Sequence, residues 1–455
     1  MPGEEVPADD GEGGLGRAFV ALRYPDFRRF WLAAVVSNTG SWVQGITVPF
    51  VLYTLTRRGV WVGMASFAQF APFVVAGPLG GSLADRLPRR TLLLLTHGAA
   101  LLSAASLALA WTAGLRSPTA IVALVAVGGL AAGLGSPAWQ AFVTDLVPRS
   151  VLLNAISLNS AQFNAARAFG PALGGIVLAT LGAGWAFSIN ALSYLAVILA
   201  LARIRAGRAR RADPVDDRPG VLREFAASVR YIRTQRGIAA CVLTVVGLSL
   251  LTSPVSSLLV VFAEAVFEVG RGRYGLLVAA IGLGAVLATP YVSSRHPERP
   301  RGPFVGAALG ANALAAAAFA LAPSYWLGLV ALLIMGAAYL AVAAGLNTTL
   351  QLLVDDARRG RVIAVYLMAL TVALPLGALV EGWLVDQIGP RPTVAGAGLM
   401  LLVVTALLAA QGWFAAMDRP GAAEAQRQPS DAVPARRAAS QPAASGHQRH
   451  AGPGR

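Results

Sequence analysis

Twelve apolar stretches of roughly 20 residues run along the chain between short polar segments. Each is long enough to cross the ~30 Å hydrocarbon layer of a bilayer as a helix. They cover residues 30–55, 60–84, 91–113, 118–144, 152–181, 184–204, 237–262, 274–293, 303–322, 325–350, 362–387 and 392–415. Their continuity distinguishes them from the ~10-residue alternating segments of a membrane β-barrel. The pattern predicts an all-α membrane protein of twelve transmembrane helices, with the fifth and eleventh spans as candidates for kinks.

The polar segments divide the chain into five predicted parts. These are a cytoplasmic N-terminal segment without a cleavable signal peptide, a six-helix bundle, a cytoplasmic linker, a second six-helix bundle and a disordered cytoplasmic tail, at 1–26, 27–204, 205–236, 237–415 and 416–455. In the linker, Val221, Leu222, Phe225, Val229 and Ile232 recur at helical spacing between arginines. This spacing favours an amphipathic helix at the membrane surface, and an unstructured linker is the alternative.

Composition supports a membrane protein, because 56% of residues are hydrophobic and only 13% are charged. All 37 basic residues are arginine, against 22 acidic residues, which gives a net charge of +15. The arginines punctuate apolar runs, so we predict the lipid bilayer as their partner and no nucleic acid. Loops after even-numbered spans hold 20 arginines and loops after odd-numbered spans hold six. By the positive-inside rule, the even loops and both termini are cytoplasmic, in a cell (inner) membrane.

Several kinds of chemistry are not expected from this sequence. Cys241 is the only cysteine and there are four histidines, so we predict no metal site and no cofactor. Without lysine there is no Walker-type nucleotide site, and no zinc-protease or serine-hydrolase motif occurs. We therefore predict a protein that is not an enzyme, and any active transport must be driven by an ion gradient.

An internal repeat relates the two halves of the chain. Gly170 and Gly377, Gly175 and Gly382, and Val147 and Val354 are each 207 residues apart. Two six-helix halves in the same order, joined by a charged loop, are typical of transporters with parallel repeats around a central site.

The loop after the second span carries a recognisable motif. It reads Gly80-Gly81-Ser82-Leu83-Ala84-Asp85-Arg86-Leu87-Pro88-Arg89-Arg90. This resembles the Gly-x-Leu-Ala-Asp-Arg-x-Gly-Arg-Arg signature of major facilitator superfamily transporters, with Pro88 at the usual second glycine. A carboxylate beside arginines, or facing a helix N-terminus, stabilises one arrangement of the halves by about 1–3 kcal/mol. The resemblance implies a cytoplasmic gate formed by Gly81, Asp85, Arg86, Arg89 and Arg90 with Arg149. The alternative is an arginine cluster that only orients the hairpin.

The fifth span carries a second motif. Gly170-Pro171-x-x-Gly174-Gly175 resembles the antiporter motif of drug-exporting branches of the superfamily. The segments 27–31, 37–44 and 158–164 resemble the transmembrane secretion effectors, a branch that includes siderophore exporters. Physically, a proline in mid-helix favours a kink and paired glycines allow close helix approach. The motif is therefore a candidate gating element, or alternatively a packing seam.

Two charged residues lie well inside the predicted spans, Arg167 and Glu381, and Asp386 lies near the outer end of the eleventh. Intramembrane charges are costly and therefore mark candidate functional sites. Ser160, Asn164 and Arg167 share one helical face with Pro171. Arg167 is a candidate anchor for an anionic group, or alternatively a structural arginine. Glu381 is a candidate proton-coupling carboxylate, although the family resemblance does not support that role.

The resemblance implies that spans one, four, seven and ten line the substrate cavity. Candidate contacts are the polar or aromatic residues within spans: Asn38, Trp42, Gln44, Gln140, Asn159, Asn164, Asn347 and Gln351. The predicted function is a proton-coupled exporter of a small amphipathic compound, such as a drug, siderophore or secondary metabolite, working by alternating access. An uptake symporter on the same fold and a non-transporting membrane sensor are the alternatives.

Overall fold

A computed structural model describes residues 18–204, 221–296 and 299–418, and all regular structure in those ranges is helical. The N-terminal half contains α1 (Pro25–Thr56), α2 (Gly59–Phe70), α3 (Pro72–Arg86), α4 (Arg89–Thr112), α5 (Pro118–Asp145), α6 (Leu152–Thr180) and α7 (Ala183–Arg203). Next comes α8 (Val221–Thr234). The C-terminal half contains α9 (Arg236–Leu251), α10 (Val255–Val261), α11 (Arg271–Ser293), α12 (Arg301–Leu321), α13 (Tyr325–Leu353), α14 (Asp356–Ile388) and α15 (Pro390–Ala410).

These helices form twelve membrane-length segments within the described residues, because α2 with α3 and α9 with α10 each make one span. Ten segments are long and apolar enough to cross a membrane. The other two, α1 and α6, have 32 and 29 residues and are more polar. The predicted all-α fold of two six-helix halves is confirmed. These two spans carry half of the candidate site residues.

Helix interruptions lie in the second and seventh spans. α6 and α14 run unbroken through Pro171 and Pro375, whereas the second span divides before Pro72. The seventh span divides before Val255 and ends in a π-helical turn, Phe262–Val266. Each division falls beside a proline, Pro72 or Pro254, which lacks the N–H that would continue the helical hydrogen bonds.

The segments outside the two bundles are described in part. The helix α8 occupies the second part of the predicted linker. A short 3-10 helix, Ala415–Asp418, ends the described chain, and Met417 within it is fully buried. Residues 416–418 of the predicted tail thus belong to the folded part. The predicted segments 1–17, 205–220 and 419–455 lie outside the described residues.

The repeat of 207 residues recurs in the backbone. Gly182 precedes α7 with φ +84°, and Gly389 precedes α15 with φ +88°. Such positive φ values favour glycine because it has no Cβ. Both halves therefore enter their last span through the same tight turn.

The two halves meet along two helix pairs, α2 with α14 and α6 with α11. We name the two ends of the bundle by residues: the Arg89 end, where α3 passes into α4, and the Asp386 end, where α14 finishes and α2 begins. At the Asp386 end one hydrophobic cluster joins both halves, with Phe50 and Phe187 from the first and Phe262 from the second. At the Arg89 end each half has its own cluster. The halves are thus packed together at one end and separate at the other.

Candidate transport cleft and gates

Charged and backbone groups connect the halves at the Asp386 end. The Asp386 carboxylate accepts hydrogen bonds from the backbone N–H groups of Gly59, at 2.5 Å, and Val60, at 3.1 Å. Its second oxygen lies 3.6 Å from the Arg58 guanidinium. Arg57 and Glu264, which are 207 residues apart, form a further ion pair at 3.3 Å. Since the first N–H groups of a helix lack partners within it, Asp386 caps α2 from the opposite half.

Small residues allow the helices to touch just inside this layer. The α-carbon of Gly275 would lie 2.5 Å from a Cβ added to Gly175, so α6 and α11 are in backbone contact. A Cβ added to Gly63 of α2 would lie even closer to the Ala378 carbonyl oxygen of α14. The Ser66 and Ser257 hydroxyls are 2.7 Å apart, again across the halves. Close packing on both helix pairs closes the Asp386 end.

The same face of α6 is open towards the Arg89 end. Ser160, Asn164 and Arg167 share the helical face of Gly175 and are exposed. The Arg167 guanidinium carbon lies 5.1 Å from the ring centre of Tyr339 on α13, in the other half. In the described residues Arg167 has no carboxylate partner. A cleft between the halves therefore presents a cation held over an aromatic ring.

The predicted gate motif is only partly paired at the Arg89 end. Arg89 donates to the Asp145 carboxylate at 2.7 Å, and Arg90 donates to the Leu201 and Ala202 carbonyls at 2.7 and 2.9 Å. The other members, Gly81, Asp85, Arg86 and Arg149, do not bridge the halves in the described residues. Asp85 is exposed and has neither a hydrogen bond nor an ion pair there. The expected pairing of Asp85 with the arginines is thus absent from this arrangement, because Asp145 occupies Arg89 and the halves are apart.

The second motif lies at packing positions. Gly170 packs against the Trp42 side chain, and Gly174 packs against Val43 and Ile46, all on α1. Gly175 faces the other half, as described above. The motif therefore combines contacts within the first half with a contact across the seam, as expected of a packing position, and its gating role stays a prediction.

Several predicted cavity residues bond to partners within their own half. Asn38 donates to Gln162 at 2.9 Å, and Gln162 donates to Asn159 at 3.3 Å. Gln44 accepts a hydrogen bond from Asn190, which is fully buried, at 2.8 Å. These contacts tie α1 to α6 and α7.

The remaining candidates are more open. Gln140, Asn164, Asn347 and Gln351 are exposed, and Gln351 donates to Asn347 at 2.5 Å. Asn164 donates to the Ser160 carbonyl at 2.9 Å on its own helix. Of the predicted contacts, these four and Arg167 are the ones most accessible to a solute.

Glu381 lies deep in the packed half of α14. It is 4% exposed, and neither carboxylate oxygen has a hydrogen-bond partner within the described residues. Its neighbours on the helix fix its surroundings: Gly382 packs against Gly59 of α2, and Gly377 packs against Leu250 of α9. The carboxyl group therefore sits between the seam and the C-terminal half and is buried in this arrangement.

Sequence reasoning did not assign roles to Asp386, Gln162, Asn190 or Tyr339. Asp386 was visible as a charge at the end of a span, but only the fold shows that α2 begins beside it. Tyr339 has no local sequence signal. Across the described ranges, no three His, Cys, Asp or Glu side chains are grouped to hold a metal ion.

Comparison with known proteins agrees with this architecture. The transmembrane secretion effector family matches residues 17–439. The enterobactin exporter EntS of Escherichia coli O1:K1 is 28% identical over 388 residues, which cover 85% of this chain and 91% of that protein. The enterobactin exporter EntS of Shigella boydii serotype 18 has the same identity and coverage.

Solved structures show the same fold at lower sequence identity. A bacterial homologue of the human lysosomal transporter Spinster, inward-facing and unoccupied, has a TM-score of 0.64 at 16% identity, covering 89% of this chain and 98% of that one. A D-xylose–proton symporter has a TM-score of 0.60 at 16% identity, covering 87% and 97%.

These findings confirm the family resemblance seen in the sequence. The chain is a multi-pass membrane protein whose relatives are transporters of small molecules and not enzymes. It belongs to the transmembrane secretion effector family of the major facilitator superfamily.

Proposed function

We propose that this protein is a proton-coupled exporter of a small amphipathic compound, working by alternating access. The observation that carries this proposal is the asymmetry of the seam. One hydrophobic cluster joins the halves at the Asp386 end, whereas separate clusters serve them at the Arg89 end. A transporter that alternates needs a state open at one end only, and this arrangement has that form.

The orientation follows from arginine distribution. The loops at the Arg89 end belong to the set with 20 arginines, and those at the Asp386 end belong to the set with six. By the positive-inside rule the Arg89 end is cytoplasmic, so the cleft opens to the cytoplasm and both termini lie there. In the inner membrane, a protein in this state accepts solutes from inside the cell.

The cleft chemistry and the relatives favour export of an amphipathic compound. Arg167 over Tyr339 offers charge and an aromatic surface, and Asn347 and Gln351 offer hydrogen-bonding groups. The matched relatives are enterobactin exporters, so siderophore-like compounds are the first to test. The antiporter-like motif, Gly170 to Gly175, adds support for export.

Glu381 is the proposed coupling residue. A carboxyl group inside a span, buried and without a hydrogen-bond partner among the described residues, is a candidate site for a transported proton. Its position beside the α2–α14 seam makes its surroundings dependent on whether the Asp386 end is closed. Opening that end would expose the group to periplasmic protons, and closing it would bury the protonated form.

The test uses everted membrane vesicles with an inside-acidic pH gradient and a pH-sensitive dye. Enterobactin, other siderophores and amphipathic drugs are added outside, which is the cytoplasmic face. An antiporter exchanges compound for lumenal protons, so the lumen loses acid only when a substrate is present. An uptake symporter responds only when the compound is loaded inside, and a sensor binds compound without moving protons.

Glu381→Gln is expected to abolish the substrate-dependent proton movement. Exchange of compound between the lumen and the outside should continue when the pH on the two sides is equal. Glu268→Gln is the matched control, because Glu268 is exposed at the Asp386 end and has no hydrogen-bond partner among the described residues. Equal proton movement in Glu381→Gln and Glu268→Gln would remove Glu381 from the mechanism. Absence of flux for every compound would count against the exporter.

A further inference from the structure

A cavity of about 670 Å³ opens at the Asp386 end, apart from the central cleft. It lies between the ends of α1, α4 and α6 and the start of α7, and α11 closes one side. Among its lining residues are Phe50, Trp111 and Trp185, with Arg116 and Arg271. It is therefore an aromatic cavity with two cationic side chains.

Both guanidinium groups are held over aromatic rings. The Arg116 guanidinium carbon is 3.7 Å from the Trp111 ring centre, and its Nη1 donates to the Trp111 carbonyl. The Arg271 guanidinium carbon is 5.7 Å from the Phe50 ring centre. Stacking satisfies the guanidinium face but leaves edge N–H groups available, since arginine has five such donors.

No acidic residue balances these charges among the described residues that line the cavity. Elsewhere at this end, Arg57 and Arg58 lie within 3.6 Å of Glu264 and Asp386. Arginine is scarce at the Asp386 end, with six residues in its loops, and two of the six converge on one cavity. Two uncompensated guanidinium groups in a confined site attract an anion.

The rest of the lining selects a particular kind of anion. Leu178, Leu181 and the aromatic rings give an apolar wall beside the cations. Trp185 is 59% exposed at the end of the bundle, as expected for an aromatic residue at the membrane interface. We infer that this cavity binds amphipathic anions, through the two guanidinium groups and the aromatic wall, at the Asp386 end of the protein. An anionic lipid headgroup and a free organic anion share this chemistry.

Binding can be measured by calorimetry on the purified full-length protein in an uncharged maltoside detergent. Dioctanoyl phosphatidylglycerol represents the lipid, naphthalene-2-sulfonate represents an organic anion, and dioctanoyl phosphatidylcholine controls for the acyl chains. Arg116→Gln and Arg271→Gln are each expected to weaken binding of an anionic probe about tenfold, the loss of one charge-assisted contact. If these variants bind the lipid, the sulfonate or both more weakly than wild type does, the site is supported. The probe whose binding is weakened identifies the source of the anion.

Arg273→Gln is the matched control, since Arg273 lies two residues from Arg271 and also approaches an aromatic ring, Tyr325, but does not line the cavity. Arg116→Lys and Arg271→Lys retain charge, so they are expected to recover part of the affinity and to show that the effect is not misfolding. Equal affinity in the Arg116, Arg271 and Arg273 glutamine variants would overturn the inference. So would wild-type binding no tighter for either anion than for phosphatidylcholine. The inference is independent of the proposed function, because it requires no transport.

Discussion

The Asp386 carboxylate in the C-terminal half accepts the Gly59 backbone N–H of the N-terminal half at 2.5 Å. The contact joins the end of one helix to the beginning of another, since Asp386 lies in the last turn of α14 and Gly59 is the first residue of α2. A helix N-terminus carries a partial positive charge, which a carboxylate stabilises. The seam is therefore held at this end by electrostatics as well as by glycine packing.

Asp386→Ala is expected to favour opening of the Asp386 end. The substitution removes two backbone contacts and the attraction to Arg58, worth together about 1–3 kcal/mol, or roughly a fivefold to hundredfold shift in the opening equilibrium. Spin labels at Leu115→Cys and Leu321→Cys, in a Cys241→Ala background, would report the separation of the halves at this end. The population at long distance should rise.

Asp26→Asn is the matched control for this measurement. Asp26 also bonds an arginine, Arg29, at 3.0 Å, but both residues belong to α1 and neither is in the gate motif. Its loss should leave the distance distribution unchanged. If Asp386→Ala and Asp26→Asn gave the same distribution as wild type, Asp386 would be a cap without influence on the gate.

Asp85→Asn is expected to shift the same distribution in the opposite direction. The span α2–α3 and the helix α14 run antiparallel, so closing the Arg89 end would bring Asp85 to the start of α14. Asp85 has no partner among the described residues in the present arrangement, and we propose that its charge stabilises the other one. The variant should therefore reduce the long-distance population at Leu115 and Leu321. An increase would contradict the proposed role of Asp85.

The sequence predicted the fold because the relevant signals can be read along the chain. Apolar length identifies spans, arginine asymmetry orients them, and the repeat between Gly175 and Gly382 relates the halves. None of these signals depends on which helices pack together.

The site was predicted less completely, because its contacts join distant parts of the chain. Asp386 and Gly59 are 327 residues apart, and nothing near Asp386 shows which helix begins beside it. Gln44 was a reasonable cavity candidate by span, yet it bonds to Asn190 within its own half. Arg167 stood out because it is a charged residue inside an apolar span. Tyr339 has no such signal, and its contact with Arg167 depends on the fold.

Gly175→Ala is expected to slow transport even though alanine favours helices. The added Cβ would lie 2.5 Å from the Gly275 α-carbon, closer than packed atoms allow, so the halves could not close fully at the Asp386 end. Overpacking of this kind typically costs about 1–3 kcal/mol. Initial rates in proteoliposomes should fall by about tenfold or more, as that free energy implies.

Gly98→Ala provides the control, because an added Cβ at Gly98 in α4 would meet nothing within 4 Å. It gains the same helix propensity, about 1 kcal/mol, without a new contact. Transport by Gly98→Ala should equal wild type. A similar rate for the two alanine variants would mean that the α6–α11 contact does not limit the cycle.

Arg167→Gln is expected to discriminate between substrates by charge. The guanidinium lies over Tyr339 and is exposed to the cleft, so it can contact an anionic group of a bound compound. Loss of one charge-assisted contact should raise the KM for an anionic substrate about tenfold and leave that for a neutral substrate nearly unchanged. Initial rates for anionic and neutral members of one compound series provide the measurement.

Tyr339 variants separate recognition of the substrate from support of the arginine. Tyr339→Phe keeps the aromatic face and should change KM less than twofold, whereas Tyr339→Leu removes a cation–π contact worth about 0.5–1 kcal/mol and should raise it about twofold to fivefold. Arg230→Gln, on the exposed surface of α8, controls for loss of one positive charge at the Arg89 end. If Arg167→Gln changed the KM for anionic and neutral substrates equally, the role of Arg167 would lie in holding the two halves together across the cleft, because Tyr339 belongs to the opposite half.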